Sequence, residues 1–172
     1  CDGEVANFTV IGSGADLTYQ WQKYVSGAWT DLSNGGDYDD VTTSILQVSA
    51  NSGTHNTYYR CRVSGSCTPS VYSNYAKLTV RNAPVIASHP DDIAVGNGST
   101  VNFSVAASGD GLSYQWQENQ SGSWSNISNG GVYGGATTAT LTLSGVTGGM
   151  DTYQYKCIVT GFCDPADTSD AA

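Results

Sequence analysis

The chain repeats itself, and this constrains its fold more than any other feature. Asn7-Phe8-Thr9-Val10 returns as Asn102-Phe103-Ser104-Val105, 95 residues further on. At the same offset Leu17-Thr18-Tyr19-Gln20-Trp21-Gln22 returns as Leu112-Ser113-Tyr114-Gln115-Trp116-Gln117, and Ser33-Asn34-Gly35-Gly36 as Ser128-Asn129-Gly130-Gly131. One residue enters between Ser144 and Cys157. From there the offset is 96, so Tyr59-x-Cys61 matches Tyr155-x-Cys157 and Gly65-x-Cys67 matches Gly161-x-Cys163. A chain of 172 residues built this way is expected to hold two copies of one modest domain.

The phase of the repeat predicts the boundaries. Cys1 aligns with Gly96, so the first copy has no counterpart of Pro84 to Val95; the second has none of Lys77-Leu78-Thr79-Val80. The expectation is a domain over 1–82 whose first strand is missing and another over 83–172 whose last strand is clipped, cut from a longer array. Asn82-Ala83-Pro84 and Ser88-His89-Pro90 at the junction predict a short, semi-rigid connection, because proline restricts bending and blocks sheet extension.

Within each copy, apolar residues alternate with polar ones. Val101, Phe103 and Val105 do so, as do Leu141 and Leu143, and Ala76, Leu78 and Val80; Tyr155, Cys157 and Val159 mirror Tyr59, Cys61 and Val63. A period of two is the mark of a strand with one face buried. Turns are expected where glycine and asparagine cluster, at Gly109-Asp110-Gly111, Asn129-Gly130-Gly131 and Gly148-Gly149. Helix formers are scarce, and 39% apolar content suffices for sheets buried on one side. The fold class is all-β, a sandwich in each copy.

These residues resemble the immunoglobulin pattern. It is carried by Gly98-x-x-Val101-x-Phe103-x-Val105, then Trp116, then Asp151-x-Tyr153-x-Tyr155-x-Cys157, across essentially the whole chain. The resemblance implies two tandem immunoglobulin-like β-sandwich domains, with Trp21 and Trp116 in the cores and Tyr59 and Tyr155 at a tyrosine corner. One departure matters: Val10 and Val105 stand where the family carries a second-strand Cys, so the usual inter-sheet disulfide cannot form. The string Tyr-Gln-Trp-Gln, Ser-Gly-x-Trp, Asn-Gly-Gly-x-Tyr and Tyr-Lys-Cys is similar to tandem Ig-like repeats of Bacteroidetes-type secreted and cell-surface adhesins. Such repeats occur as stalks, as spacers beside enzymes and in adhesive filaments, so the resemblance speaks to fold more than to function.

Five cysteines leave one over. Cys61/Cys67 and Cys157/Cys163 share a C-x5-C spacing, and the second copy holds just that pair. The simplest expectation is therefore Cys61–Cys67 and Cys157–Cys163, each closing the hairpin between the sixth and seventh strands, in an oxidising compartment. The partner of Cys1 stays open. A zinc site would need four ligands, and each copy offers two Cys with no His nearby.

Chemistry of other kinds has little to work with. A net charge of −9, from 6 Lys+Arg against 15 Asp+Glu, argues against nucleic acid, which needs a basic patch. No apolar run approaches the roughly 18 residues of a membrane span. His55 and His89 do not recur and lack a nucleophile and an orienting acid, so no catalytic residues are predicted and the chain is read as non-enzymatic. No cofactor is expected. Asp37, Asp39 and Asp40 are the best candidates for a Ca²⁺ site, through carboxylates at alternating loop positions. The second copy has Val132-Tyr133-Gly134-Gly135 there, so the fold does not require them. Asp91-Asp92 near the junction is a lesser candidate.

Exposed aromatic rings can stack on sugars. Trp29/Trp124 and Tyr38/Tyr133 recur in both copies, which suits a framework role; Tyr24, Tyr58, Tyr72 and Tyr75 do not recur and are the more individual candidates. The expectation is a non-catalytic segment of a bacterial surface or secreted protein, serving adhesion as stalk, spacer or module. Its partners would be neighbouring Ig-like repeats and a surface glycan or protein. The alternatives are a glycan- or protein-binding module in its own right, or an accessory region of a secreted hydrolase.

Overall fold

The computed structural model describes residues 1–66 and 69–172 of the chain. They form two compact units, Cys1–Val80 and Arg81–Ala172. The first contains β1 (Val5–Thr9), β2 (Thr18–Val25), β3 (Ala28–Asp31), β4 (Tyr38–Asp39), β5 (Ile45–Ser49), β6 (Tyr58–Ser64), β7 (Val71–Tyr72) and β8 (Ala76–Lys77). The second contains β9 (Val85–Ser88), β10 (Thr100–Ser104), β11 (Ala106–Ser108), β12 (Ser113–Asn119), β13 (Trp124–Asn126), β14 (Tyr133–Gly134), β15 (Thr140–Ser144), a 3₁₀ turn at Gly148–Met150, β16 (Gln154–Thr160) and β17 (Asp167–Thr168).

Every pairing is antiparallel. In the first unit one sheet runs β1-β5-β4 and the other β3-β2-β6-β7, with β8 also on β6. In the second unit the equivalent sheets run β10-β15-β14 and β13-β12-β16-β17, and β9 pairs with β11. The alternation read from the sequence sets which side chains turn inward. Along β6 the buried residues are Tyr59, Cys61 and Val63; along β16 they are Tyr155, Cys157 and Val159. Trp21 faces Cys61 across one ladder and Trp116 faces Cys157 across the other. Leu46 and Val48 close the first core from the opposite sheet, Leu141 and Leu143 the second.

The repeated motifs are explained by what they hold together. Trp21 Nε1 donates to the Thr43 carbonyl at 2.9 Å, and Trp116 Nε1 to the Thr138 carbonyl at 2.9 Å. Each buried indole thus has a partner for its N–H, as burial demands. The glutamine before each Trp stitches the next connection: Gln20 Nε2 donates to the Leu32 carbonyl and Gln115 Nε2 to the Ile127 carbonyl, both at 2.9 Å. In the Asn-Gly-Gly turn, Asn34 Oδ1 accepts the Val41 amide and Asn129 Oδ1 the Ala136 amide. Gly36 and Gly131 hold φ of 64° and 59°, where a side chain is disfavoured.

The cysteine expectation is corrected. Cys61 and Cys157 are free thiols, and Cys1 and Cys163 are disulfide-bonded. Cys67 lies outside the described residues. The C-x5-C spacing misleads because the hairpin after β16 is longer than six residues. Ile158 pairs with Thr168 and Val159 with Asp167, which carries Ser169 opposite Cys157 and leaves Cys163 in the connection. Cys163 Sγ there lies 3.4 Å from the Arg81 carbonyl oxygen. The first unit repeats this: the Ser73 amide donates to the Cys61 carbonyl at 2.9 Å.

Tyr59 and Tyr155 are buried, but neither hydroxyl has a hydrogen-bond partner among the described residues. Phe8 and Phe103 instead pack on their rings, at centroid distances of 5.0 and 4.9 Å.

Candidate functional site

The residues peculiar to the first unit meet on one face. The outward side of the β3-β2-β6-β7 sheet carries Tyr24 from β2, Trp29 from β3, Tyr58 and Arg60 from β6 and Tyr72 from β7. Tyr75 follows just before β8. Register explains the assembly. Tyr24 lies opposite Trp29, Gln22 opposite Arg60 and Arg62 opposite Tyr72. Side chains of one strand face sit within a few ångströms of their cross-strand neighbours, so these groups touch.

Arg60 is the centre. Its guanidinium lies 4.3 Å from the Trp29 ring centroid and 4.0 Å from that of Tyr72, a stacking that Arg favours through its planar, weakly hydrated charge. Its Nε donates to Gln22 Oε1 at 2.8 Å, and Gln22 Nε2 donates to Asp31 Oδ1 at 2.6 Å. Around it, Tyr24 lies 5.2 Å from Trp29, Trp29 lies 6.2 Å from Tyr75, and Tyr75 meets Tyr58 edge-on at 5.5 Å. Together with Ser73 these groups line a shallow cleft of about 460 Å³.

The rings stay open to solvent: Tyr24 is 43% exposed, Tyr58 37%, Tyr72 51% and Tyr75 66%. Four such rings in one place form a larger apolar patch than scattered surface residues would. The second unit keeps the frame and drops the cluster. Lys156 lies 4.2 Å from the Trp124 ring, but the repeat places Asn119, Gln154, Thr168 and Ala171 where Tyr24, Tyr58, Tyr72 and Tyr75 stand. Sequence alone shows which tyrosines fail to recur. It does not show that they converge, because that depends on the register of four strands.

The other singled-out residues lie elsewhere. Asp37 Oδ1 accepts Asn51 Nδ2 at 2.7 Å, while Asp40 Oδ2 accepts Gln47 Nε2 at 3.0 Å. These carboxylates serve their own strands. Among the described residues no group of three or more His, Cys, Asp or Glu is placed to hold a metal. Asp91 and Asp92 are exposed in the segment between β9 and β10. His55 Nδ1 accepts the Val80 amide at 3.1 Å and His89 Nδ1 the Asp170 amide at 2.9 Å, so each imidazole ties down backbone.

Burial sets the chemistry of the core groups. It pushes the Cys157 thiol up to about 11 and raises that of Cys61, which keeps both protonated and unreactive near neutrality. Burial, reinforced by Tyr38, raises the Tyr59 phenol far above its ordinary value. Tyr133 is raised by burial and by its hydrogen bond to Glu118, and Tyr155 by burial.

The sandwiches have the immunoglobulin-like fold. An I-band fragment of titin superposes with a TM-score of 0.62 at 15% identity, covering 98% of this chain and 58% of that one. The amphioxus IgVJ-C2 molecule superposes at 0.55 with 18% identity, covering 99% and 96%. Hemolin, an insect immune protein, does so at 0.53 with 20% identity, covering 98% and 42%. No protein-family model matches the chain. Endoglucanase C of the bacterium Cellulomonas fimi is 35% identical over 109 residues, which are 62% of this chain and 9% of that enzyme. Among the described residues no helix is long and apolar enough to cross a membrane.

Proposed function

We propose that this chain is a non-catalytic immunoglobulin-like segment of a larger extracellular bacterial protein, serving as an accessory region of a secreted polysaccharide hydrolase. The carrying observation is the likeness to 109 residues that make up 9% of an endoglucanase. A stretch so small beside the whole enzyme supports a role next to the catalytic region. The inventory agrees, since both histidines are occupied by backbone amides and the core thiols are buried and protonated. Disulfide-bonded Cys1 and Cys163 support an oxidising, extracellular setting. Each unit is read as a domain, with neighbouring Ig-like repeats as its covalent partners.

The test compares a parent enzyme with and without this segment on soluble and insoluble forms of its polysaccharide. Loss of activity on the insoluble form alone is the expected result. Hydrolysis by the isolated segment, or a deletion without effect on either form, overturns it.

A second reading, as stalk or adhesion module of a Bacteroidetes-type surface adhesin, is favoured by the repetition of one frame, down to the Trp, Gln and Asn hydrogen bonds. Its test is attachment of cells displaying the parent with and without the segment.

A further inference from the structure

The aromatic face of the first unit has a charge as well as a shape, and the charge is opposite to that of the chain. The net formal charge is −9, yet three of the six basic residues, Arg60, Arg62 and Lys77, project from this one sheet face. Arg62 is matched by Asp31 at 3.1 Å. Arg60 and Lys77 have no carboxylate partner among the described residues. Lys77 Nζ lies 5.8 Å from the Tyr58 ring, and the Nε of Arg60 donates to a neutral amide, leaving both its Nη groups without an acceptor among the described residues.

A guanidinium with open donors, fixed beside a cleft of exposed rings, matches a ligand with two properties. It must offer an anionic group, because Arg binds carboxylates through paired N–H donors. It must also offer a flat, partly apolar body, because the rings otherwise gain nothing. An acidic sugar has both: the C–H face of a pyranose stacks on an aromatic ring, and its carboxylate or sulfate meets the cation. A cleft of about 460 Å³ has the size of one or two sugar rings.

We propose that the cleft of Tyr24, Trp29, Tyr58, Arg60 and Tyr75 binds an acidic glycan, of the polyuronate class, by stacking sugar rings on the aromatics and pairing their anionic groups with Arg60 and Lys77. This goes beyond the accessory role and holds equally if the parent is an adhesin. The second unit supplies a natural control, since it keeps the cation–Trp pair and lacks the four tyrosines.

The experiment measures binding of the full 172-residue chain to sodium polygalacturonate by affinity electrophoresis and calorimetry. Hydroxyethylcellulose serves as the neutral glycan and poly-L-glutamate as the acidic polymer without sugar rings. Retardation by polygalacturonate, weakened by added salt and at least tenfold stronger than by either control, is expected. The variant Tyr24→Asn, Tyr58→Gln, Tyr72→Thr, Tyr75→Ala gives the first unit the residues of the second, which that frame already accommodates. It should keep its melting transition and lose at least tenfold in affinity. Arg60→Lys, copying Lys156, should weaken polygalacturonate binding severalfold and leave hydroxyethylcellulose unaffected.

Equal binding of hydroxyethylcellulose overturns the anionic requirement, and equal binding of poly-L-glutamate overturns the sugar. No binding, or full binding by the folded quadruple variant, overturns the site. None of these results bears on whether deletion of the segment impairs a parent hydrolase, so the two readings fail separately.

Discussion

Ser169 stands across the ladder from Cys157: its amide donates to the Cys157 carbonyl at 2.9 Å, and its hydroxyl accepts the Cys157 amide at 2.9 Å. The hydroxyl then donates to the Asp170 carbonyl at 2.7 Å. Ser73 does the same at Cys61 and Asn74. One serine per unit thus turns an irregular crossing into a satisfied one. Ser169→Ala leaves a buried amide without its acceptor and is expected to cost about 1–3 kcal/mol. Chemical denaturation checks this; an unchanged midpoint and slope would show that the hydroxyl is dispensable.

The free thiols give a chemical prediction. Cys61 and Cys157 are buried with raised pKa values, so an alkylating reagent at neutral pH should leave both unmodified in the folded chain. In denaturant without reductant both should be modified, and peptide mapping should find the label on each. A Cys157–Cys163 cross-linked peptide would overturn the assignment.

Alkaline pH should destabilise both units. Burial raises Tyr59 and Tyr133 well above the ordinary phenol value of 10 and raises Tyr155 in the same direction. Between the unfolded and folded values the native state binds more protons than the unfolded state, so stability falls as pH rises. The contribution is complete below pH about 10 and is lost upward from there, by at most about 1.4 kcal/mol per pH unit for each phenol. Phenolate absorbance should show the ionisation of these three appearing only with unfolding. Simultaneous ionisation of all 11 tyrosines in a folded chain would contradict it.

Tyr155→Phe separates the ring from its hydroxyl. The ring packs on Phe103, while the buried hydroxyl has no partner among the described residues. The substitution is expected to leave stability unchanged or to raise it by up to about 1 kcal/mol. It should also reduce the alkaline sensitivity, as thermal melts at pH 7 and pH 11 would show.

Asp40 holds φ of 60°, and its counterpart Gly135 holds 73°. A left-handed backbone position explains the glycine, since a side chain there is strained. Asp40→Gly should stabilise the first unit by up to about 1 kcal/mol, despite losing the exposed bond to Gln47. A lower melting temperature would show that the carboxylate contributes more than the backbone strain costs.

The fold was legible because repetition and alternation are local signals: Tyr155-x-Cys157-x-Val159 reads as an inward stripe without any knowledge of its partners. The cysteine pairing was illegible for a related reason. Spacing along the chain reveals how many residues separate Cys157 from Cys163, but the residue opposite Cys157 is fixed by where the hairpin turns. The aromatic face lies between these cases. Comparing the copies singled out Tyr24, Tyr58, Tyr72 and Tyr75, whereas their meeting around Arg60 follows from the register of strands far apart in sequence.

Among the described residues neither core carries a covalent link between its sheets at the usual place, since Val10 and Val105 stand where a second-strand thiol would and Cys61 and Cys157 are free thiols. Closing each sandwich is therefore a matter of packing alone, with the sulfur acting as a small greasy side chain beside a tryptophan. Such a core needs no electron acceptor to mature. Among the described residues an oxidising setting is called for only by the disulfide-bonded Cys1 and Cys163, which lie outside the Trp–Cys ladders at the centre of each core.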